Sequence, residues 1–393
     1  MSEHTNIRAF ADDLVVYEEM DDIKTLENRL NVTLKKMYNT CMAFNLYMSK
    51  SKCKVMHVTN KKNDYKPNIY LGNNKLEIVK EYKYLGFIFD NRLKFDNQIN
   101  QSIKKAKNRM NLIKYISNGL RGSKIGHLIN MYKTFVRPVI EYGFSIYLTV
   151  TKSRLKKLES FQHICLTSIL KINIRSSYIS LICTLNLLSM EQRYILLSVN
   201  FIKKSVKHDI NNMSKSEITK FYNKKTLFYS KKCIYEKLCE IYNKFVEKNN
   251  KSKNDIKKQL VLSTFNNLLQ KSTRNKNMEF FVKCYKTMIK QKTDSLKKYL
   301  TLDNKTLHFY IKIMTGSLNL NYFLNKIKVK NSSICKTCSA DETIVHRLFY
   351  CKQYSKQRKK FTNFKKIKNK TQQINFITDI NKLVCLHLSM IKN

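Results

Sequence analysis

Phe10-Ala11-Asp12-Asp13-Leu14-Val15-Val16-Tyr17 is the stretch on which the reading of this chain turns. Two adjacent carboxylates stand between apolar runs, and residues 5–17 read as two short strands around a tight acidic turn. Neighbouring acids in such surroundings are costly unless a cation neutralises them. Two readings are open at this point. Aspartate is common in solvent-exposed turns. A divalent metal also answers the charge, and phosphoryl transfer commonly uses two ions about 4 Å apart.

Working outward, Asp21 and Asp22 sit where a helix N-terminus favours negative charge. Ile23, Leu26, Leu30, Leu34, Met37, Cys41 and Phe44 then recur at intervals of three and four, one apolar stripe of an amphipathic helix. KVMHVT (54–59) reads as a strand, NIYLGNNKLEIV (68–79) as a hairpin turning at Gly72-Asn73-Asn74, and YKYLGFIFD (82–90) as a further strand. From about residue 95 the period becomes helical: Ile99 to Ser117, Ile125 to Val139 and Leu155 to Ile169 mark three helices. Residues 173–320 are rich in Lys and Asn and mostly helical in pattern, with charge runs such as Lys248 to Lys258 reading as solvated faces or loops. The fold class expected is α+β.

The totals fit a folded, helix-rich protein. The chain has 393 residues, 43% hydrophobic, with only two prolines and seven glycines to punctuate it. No segment reaches about 18 uncharged apolar residues, and Met1 to Phe10 is too polar for a signal peptide, so a nuclear or cytosolic location and no membrane partner are expected. Charge is lopsided. Residues 1–30 hold three Lys/Arg against eight Asp/Glu, whereas the remainder holds 72 against 20. So basic a surface attracts polyphosphate, with a steep dependence on salt. An A/T-rich coding sequence would also enrich lysine and asparagine, and the two readings are compatible.

Eleven cysteines are mostly scattered, but one group stands out. Cys335, Cys338, His346 and Cys351 follow as C-x2-C-x7-H-x4-C, a spacing that lets a short loop close around one tetrahedral Zn²⁺ with no open position for catalysis. The alternative is a reduced apolar mini-core of Ile334, Leu348, Phe349 and Tyr350. Lys336, Arg347, Lys352, Lys356, Arg358, Lys359 and Lys360, interleaved with Phe349, Tyr350 and Tyr354, suit nucleic-acid backbone contacts and base stacking.

Five motifs in order carry a family resemblance. FADDLVVY resembles the metal-binding hairpin of reverse transcriptases. Residues 45–54 (NLYMSKSKCK) resemble the segment that runs from a Gly-Leu pair to a Ser-Lys pair, and Tyr84-Leu85-Gly86 through Asp90 the primer-gripping "YLG…D" hairpin. Residues 131–143 (MYKTFVRPVIEYG) are similar to the thumb signature. The Cys/His group, with Glu342-Thr343 before it and Tyr354 and Arg358 after, resembles the module that ends many non-LTR, especially jockey-like, reverse transcriptases. The departures are Asn45 where Gly is usual and Ser49 where Asn is usual.

The resemblance implies roles residue by residue. Asp12 and Asp13 match the paired ligands of Mg²⁺ or Mn²⁺, Phe10 the aromatic beside them, and Lys52 the residue proposed to protonate leaving pyrophosphate. Leu85 and Gly86 match the primer grip, and Lys352 and Arg358 join the nucleic-acid contacts. It implies a partial palm (a small antiparallel sheet with a helix) at 1–92, a helical thumb at 93–172, a basic helical connection at 173–325, the zinc module at 326–362 and a helical tail at 363–393. RNA and DNA (template–primer and element RNA) are the implied partners, and no oligomeric state is legible. In the family a third carboxylate on an earlier strand completes the metal site, and only eleven residues precede Asp12. The expectation is a truncated RNA-directed DNA polymerase that binds nucleic acid without polymerising alone. Two alternatives stay open: a working polymerase if the upstream segment exists or is supplied in trans, and a repurposed nucleic-acid-binding protein.

Overall fold

The computed structural model describes residues 5–60, 65–118, 123–207 and 303–359, with isolated positions between 240 and 263, at 284, and between 367 and 376. The chain divides into two compact units, 1–101 and 102–393.

The first unit opens with the expected hairpin, β1 (Asn6–Phe10) against β2 (Asp13–Tyr17), paired from Asn6↔Tyr17 to Phe10↔Asp13. Helix α1 (Ile23–Ala43) starts where the acids predict it: the Asp22 carboxylate accepts the backbone N–H groups of Lys24 and Thr25. Hydrogen bonds from the Thr25 side chain and backbone hold the Asp22 carboxyl below its ordinary pKa. The helix ends at Phe44, and Asn45 follows at φ +55°, the left-handed conformation that asparagine tolerates. Leu30, Leu34 and Tyr38 on one face pack against Ile69, Leu71 and Leu76, the small core of this unit.

The strand pattern differs from the expected single antiparallel sheet. Among the described residues four separate two-stranded pairs form, and one is parallel. KVMHVT supplies only β3 (Lys54–Val55), because its partner β6 (Glu77–Ile78) is itself two residues long. A strand persists only while a partner satisfies its backbone groups. The hairpin at 68–79 turns where predicted, but its returning arm divides: β5 (Asn74–Lys75) pairs back with β4 (Tyr70–Leu71), while β6 leaves for β3. Residues 82–90 are a hairpin rather than one strand: β7 (Glu81–Tyr84) and β8 (Phe87–Asp90) flank Leu85 and Gly86, at φ +47° and +79°. Two consecutive positive φ values are what a tight primed turn requires, so Gly86 is needed by the backbone itself.

Asp90 then shapes the exit from this hairpin. Its carboxylate accepts N–H groups from Arg92 (3.1 Å), Lys94 (3.0 Å) and Phe95 (2.5 Å), holding Leu93 and Phe95 in left-handed conformations. Phe95 is thereby buried against the rings of Phe87 and Phe89, at 5.7 and 6.1 Å.

The second unit is helical. α2 (Asp96–Asn118), within which the unit boundary falls, buries Ala106, Met110 and Ile113 as the sequence period predicts. The stretch expected as one helix from Ile125 to Val139 is α3 (Ile125–Met131), a wider π turn (Tyr132–Val136) and α4 (Arg137–Glu141). Pro138 explains the widening: it offers no N–H to the carbonyl four residues back, and its ring would strike that carbonyl in a regular α-helix. α5 (Phe144–Tyr147), α6 (Lys152–Leu170), α7 (Tyr178–Thr184) and α8 (Met190–Lys207) follow.

α6 buries Leu158, Phe161, Cys165 and Ile169 as expected, together with Gln162. That amide is fully used: Tyr132 OH donates to its Oε1, and its Nε2 donates to Tyr178 OH and the Leu188 carbonyl, each at 3.0 Å. α9 (Asn304–Met314) is tied to the start of α3 by the Ile125 N–H donating to Asn304 Oδ1 at 2.9 Å. The helices expected across 173–320 are seen in α7, α8 and α9; most of 208–302, and nearly all of the expected tail helix at 363–393, lie outside the described residues. No helix among the described residues is long and apolar enough to cross a membrane. The class is mixed α+β, mainly helical with small sheets.

Candidate metal centre and acidic hairpin

Residues 321–359 build a site from short pieces. α10 (Asn321–Lys326) leads to a loop whose ends meet through the antiparallel bridge Ile334↔Asp341, and the Asn321 N–H donates to Glu342 Oε2 at 2.9 Å. Within the loop the Cys335 N–H donates to the Ala340 carbonyl and the Ser339 N–H to the Cys335 carbonyl, with Ser339 at φ +52°. This is a tight knuckle, and it projects Cys335 and Cys338 together. A π turn (His346–Tyr350) then supplies His346, and the Cys351 N–H closes on the His346 carbonyl at 2.7 Å.

The four ligand atoms of Cys335, Cys338, His346 and Cys351 all lie within 4.8 Å of one another. Cys351 Sγ is 3.8 Å from Cys335 Sγ and 3.9 Å from Cys338 Sγ. Tetrahedral Zn–S bonds of about 2.3 Å put sulfur atoms about 3.8 Å apart, so these separations match the edge of a zinc tetrahedron. His346 Nε2 is buried with no hydrogen-bond partner among the described residues, the condition of a nitrogen reserved for a metal. The Lys352 N–H points at Cys338 Sγ at 3.2 Å, a contact that steadies a thiolate. Burial pushes the Cys351 thiol up to about 11. At Cys335 burial pushes in the same direction but is outweighed by the N–H groups of Thr337 and Cys338, so that thiol lies below its ordinary value. Thiols this close cannot all ionise without a cation among them. The donor set therefore fits one structural zinc. The competing mini-core is half present: Leu348 and Phe349 are buried, but Ile334 and Tyr350 are 50% and 59% exposed.

Two residues expected to contact nucleic acid fall beside this centre. The Lys352 side chain is exposed, whereas Arg358, on α11 (Ser355–Lys359), is buried and donates through a terminal guanidinium nitrogen to the Cys351 carbonyl. Arg358 faces the metal loop rather than solvent.

The acidic turn is differently built. Asp12 and Asp13 are both exposed, Phe10 beside them is 65% exposed, and Ala11 takes φ +52° at the first loop position. A non-glycine residue there costs about 1–2 kcal/mol, a strain of the kind often kept at working sites. Among the described residues no third His, Cys, Asp or Glu joins the pair in a ligand group. Lys52 is exposed, in the loop before β3, and its carbonyl accepts the Tyr82 hydroxyl at 3.1 Å; among the described residues it makes no ion pair with either acid. Leu85 and Gly86 form the two-residue turn of the β7–β8 hairpin.

One feature of the second unit escapes sequence reasoning. Glu141 is buried and accepts from Arg193 Nε at 2.5 Å and from a terminal nitrogen of the same guanidinium at 3.3 Å, with Arg137 Nε 2.8 Å from the shared oxygen. The spacing of Arg137 and Glu141, four apart, is a visible signal; Arg193, on α8, is not.

No family model matches the chain. A 156-residue segment is nevertheless similar to RNA-directed DNA polymerases. Specifically, it is 24% identical to the RNA-directed DNA polymerase from mobile element jockey of Drosophila funebris and 23% identical to that of Drosophila melanogaster. The match covers 40% of this chain, which thus spans 17% of the length of these relatives. The similarity is distant and confined to this segment.

Proposed function

We propose that the chain is a nucleic-acid-binding protein derived from, or part of, a non-LTR reverse transcriptase. Residues 6–90 correspond on this reading to part of the palm, the helices from α2 to α6 to the thumb, and residues 321–359 to a zinc module. The similarity to the jockey polymerases carries the reading. The excess of 72 basic over 20 acidic residues beyond position 30 supports it, because neutralising backbone phosphates releases counterions and drives binding. RNA and DNA are the partners, held by basic residues that include Lys352 and by the Leu85-Gly86 turn at the primer end.

Asp12 and Asp13 are the residues that would hold Mg²⁺ or Mn²⁺, which supplies charge stabilisation at phosphorus when bound. Phe10 flanks them, and Lys52 is the candidate proton donor to the leaving group. An adjacent pair alone is too few oxygens for two-metal phosphoryl transfer, so unaided synthesis is not expected of this polypeptide. Primer extension by the purified 393-residue chain in Mg²⁺ or Mn²⁺ should give no incorporation. Incorporation that Asp12→Ala abolishes would replace this reading with that of a working polymerase.

A further inference from the structure

The ion pairs around Glu141 leave a surplus of positive charge. Lys133 and Arg137 share one face of the π turn and α4, four residues apart, and Arg193 reaches the same carboxylate from α8. Lys257 arrives from the helical residues 254–257 and 259–263. Their position is fixed by Ile256 and Leu260, which pack with Leu188, Leu196, Val199 and Ile202, and by Gln192 Nε2, which donates to the Leu260 carbonyl at 2.7 Å. Four half-buried cations therefore gather where one carboxylate stands. Glu159, another acid of this core, is already taken up by the Tyr178 hydroxyl and the Glu191 N–H.

The arrangement carries its own cost. Among the described residues neither Lys133 nor Lys257 has a carboxylate partner. Arg137 Nε is buried and close to Glu141 without being aligned to donate. Burial, then repulsion from its neighbours, lowers the affinity of Lys257 for its proton; Lys133 is lowered likewise, by burial and then Arg137. Like charges withdrawn from water in this way are tolerated when an anion completes the cluster. A tetrahedral oxyanion suits the planar guanidinium donors and the mobile ammonium groups together.

We propose that Lys133, Arg137, Arg193 and Lys257 form an oxyanion-binding cluster that takes a backbone phosphate of bound nucleic acid. Glu141 orients the Arg193 guanidinium by hydrogen bonds and holds Arg137 beside it by charge, and the lysines supply the unspent charge. The proposal rests on the nucleic-acid reading for the source of the phosphate, while the cluster rests on the ion pairs at Glu141, on the packing of Ile256 and Leu260 against α8 and on the mutual repulsion of the cations.

The test uses the full zinc-loaded chain and the double variant Lys133→Gln/Lys257→Gln. Lys104→Gln/Lys105→Gln, on the exposed face of α2, removes the same charge elsewhere and serves as control. Thermal unfolding is followed in chloride and in inorganic phosphate at equal ionic strength, and single-stranded RNA binding is titrated with salt. In chloride the cluster variant should melt above the parent, because repulsion is relieved. It should lose the stabilisation that phosphate gives the parent and the control, and its salt dependence of RNA binding should flatten by about one to two phosphate contacts. A cluster variant that melts lower in chloride, or keeps the full phosphate stabilisation, overturns the cluster. Loss of the phosphate effect with unchanged RNA binding overturns the backbone as its source. Retained phosphate stabilisation together with an unchanged salt dependence of RNA binding contradicts the cluster but leaves the nucleic-acid reading standing.

Discussion

Removing the metal, or replacing Cys351 with serine, is expected to unfold residues 321–359. The reason lies in how little else holds this segment. Its regular structure is two short helices, one isolated bridge and a π turn of five residues, and its buried apolar side chains besides the cysteines are Phe323, Ile327, Ile344, Leu348 and Phe349. Structural zinc sites supply about 10–16 kcal/mol of apparent binding free energy, far more than so small a core provides. Cys351 is the central side chain of the four, within 3.8 and 3.9 Å of the other two sulfurs, and its backbone carbonyl receives Arg358. Cobalt substitution should show one tetrahedral thiolate-rich ion per chain. Chelation or Cys351→Ser should abolish that spectrum and expose this segment to protease, while Cys53→Ser, in the first unit, should do neither. Full metal retention in Cys351→Ser would contradict the assignment.

A second large effect is expected at Glu141. Alanine here leaves the Arg137 and Arg193 guanidinium groups buried beside one another, with Lys133 and Lys257 close by. Removing one partner of a buried ion pair typically costs about 3–5 kcal/mol, and the four cations left together place this site toward the upper end. Glu141→Ala should shift the denaturant midpoint of the second unit accordingly, and phosphate should recover part of the loss. A shift below about 1 kcal/mol, the size expected of a surface pair, would show that the network carries little of the fold's stability.

Much of this architecture was legible from residue patterns. The α1 stripe, the Asp22 cap, the acidic turn and the Cys/His spacing are local signals, each set by residues within one element or loop. The same holds for Asn45, whose left-handed backbone is a property asparagine brings with it. Pairing between elements was not legible. Nothing in KVMHVT announces that only Lys54 and Val55 find a partner, or that the partner runs parallel. The YLGF turn shows the border case: by its residues 82–90 reads as one strand, and only the family resemblance reads a hairpin there. The π turn ahead of Pro138 was not legible either, because the apolar stripe from Ile125 to Val139 reads as one helix. Arg193 and Lys257 belong to the cluster at Glu141 only through tertiary packing, so no spacing rule could have gathered them. Arg358 reads as a surface base in a basic run, but the geometry of the metal loop turns it inward.

The acidic hairpin and the metal centre lie in separate compact units, and only the latter brings together a full set of ligands among the described residues. On the proposed nucleic-acid-binding reading the basic charge unites the chain, and that can be measured without reference to catalysis. Binding of single-stranded RNA and of a primer–template duplex by the zinc-loaded protein, titrated between 50 and 200 mM salt, is the most direct test. Neutralising about six to ten phosphates should weaken affinity by about 10³- to 10⁵-fold over that range. Absence of binding at the low-salt end, or affinity that does not change with salt, would contradict the account.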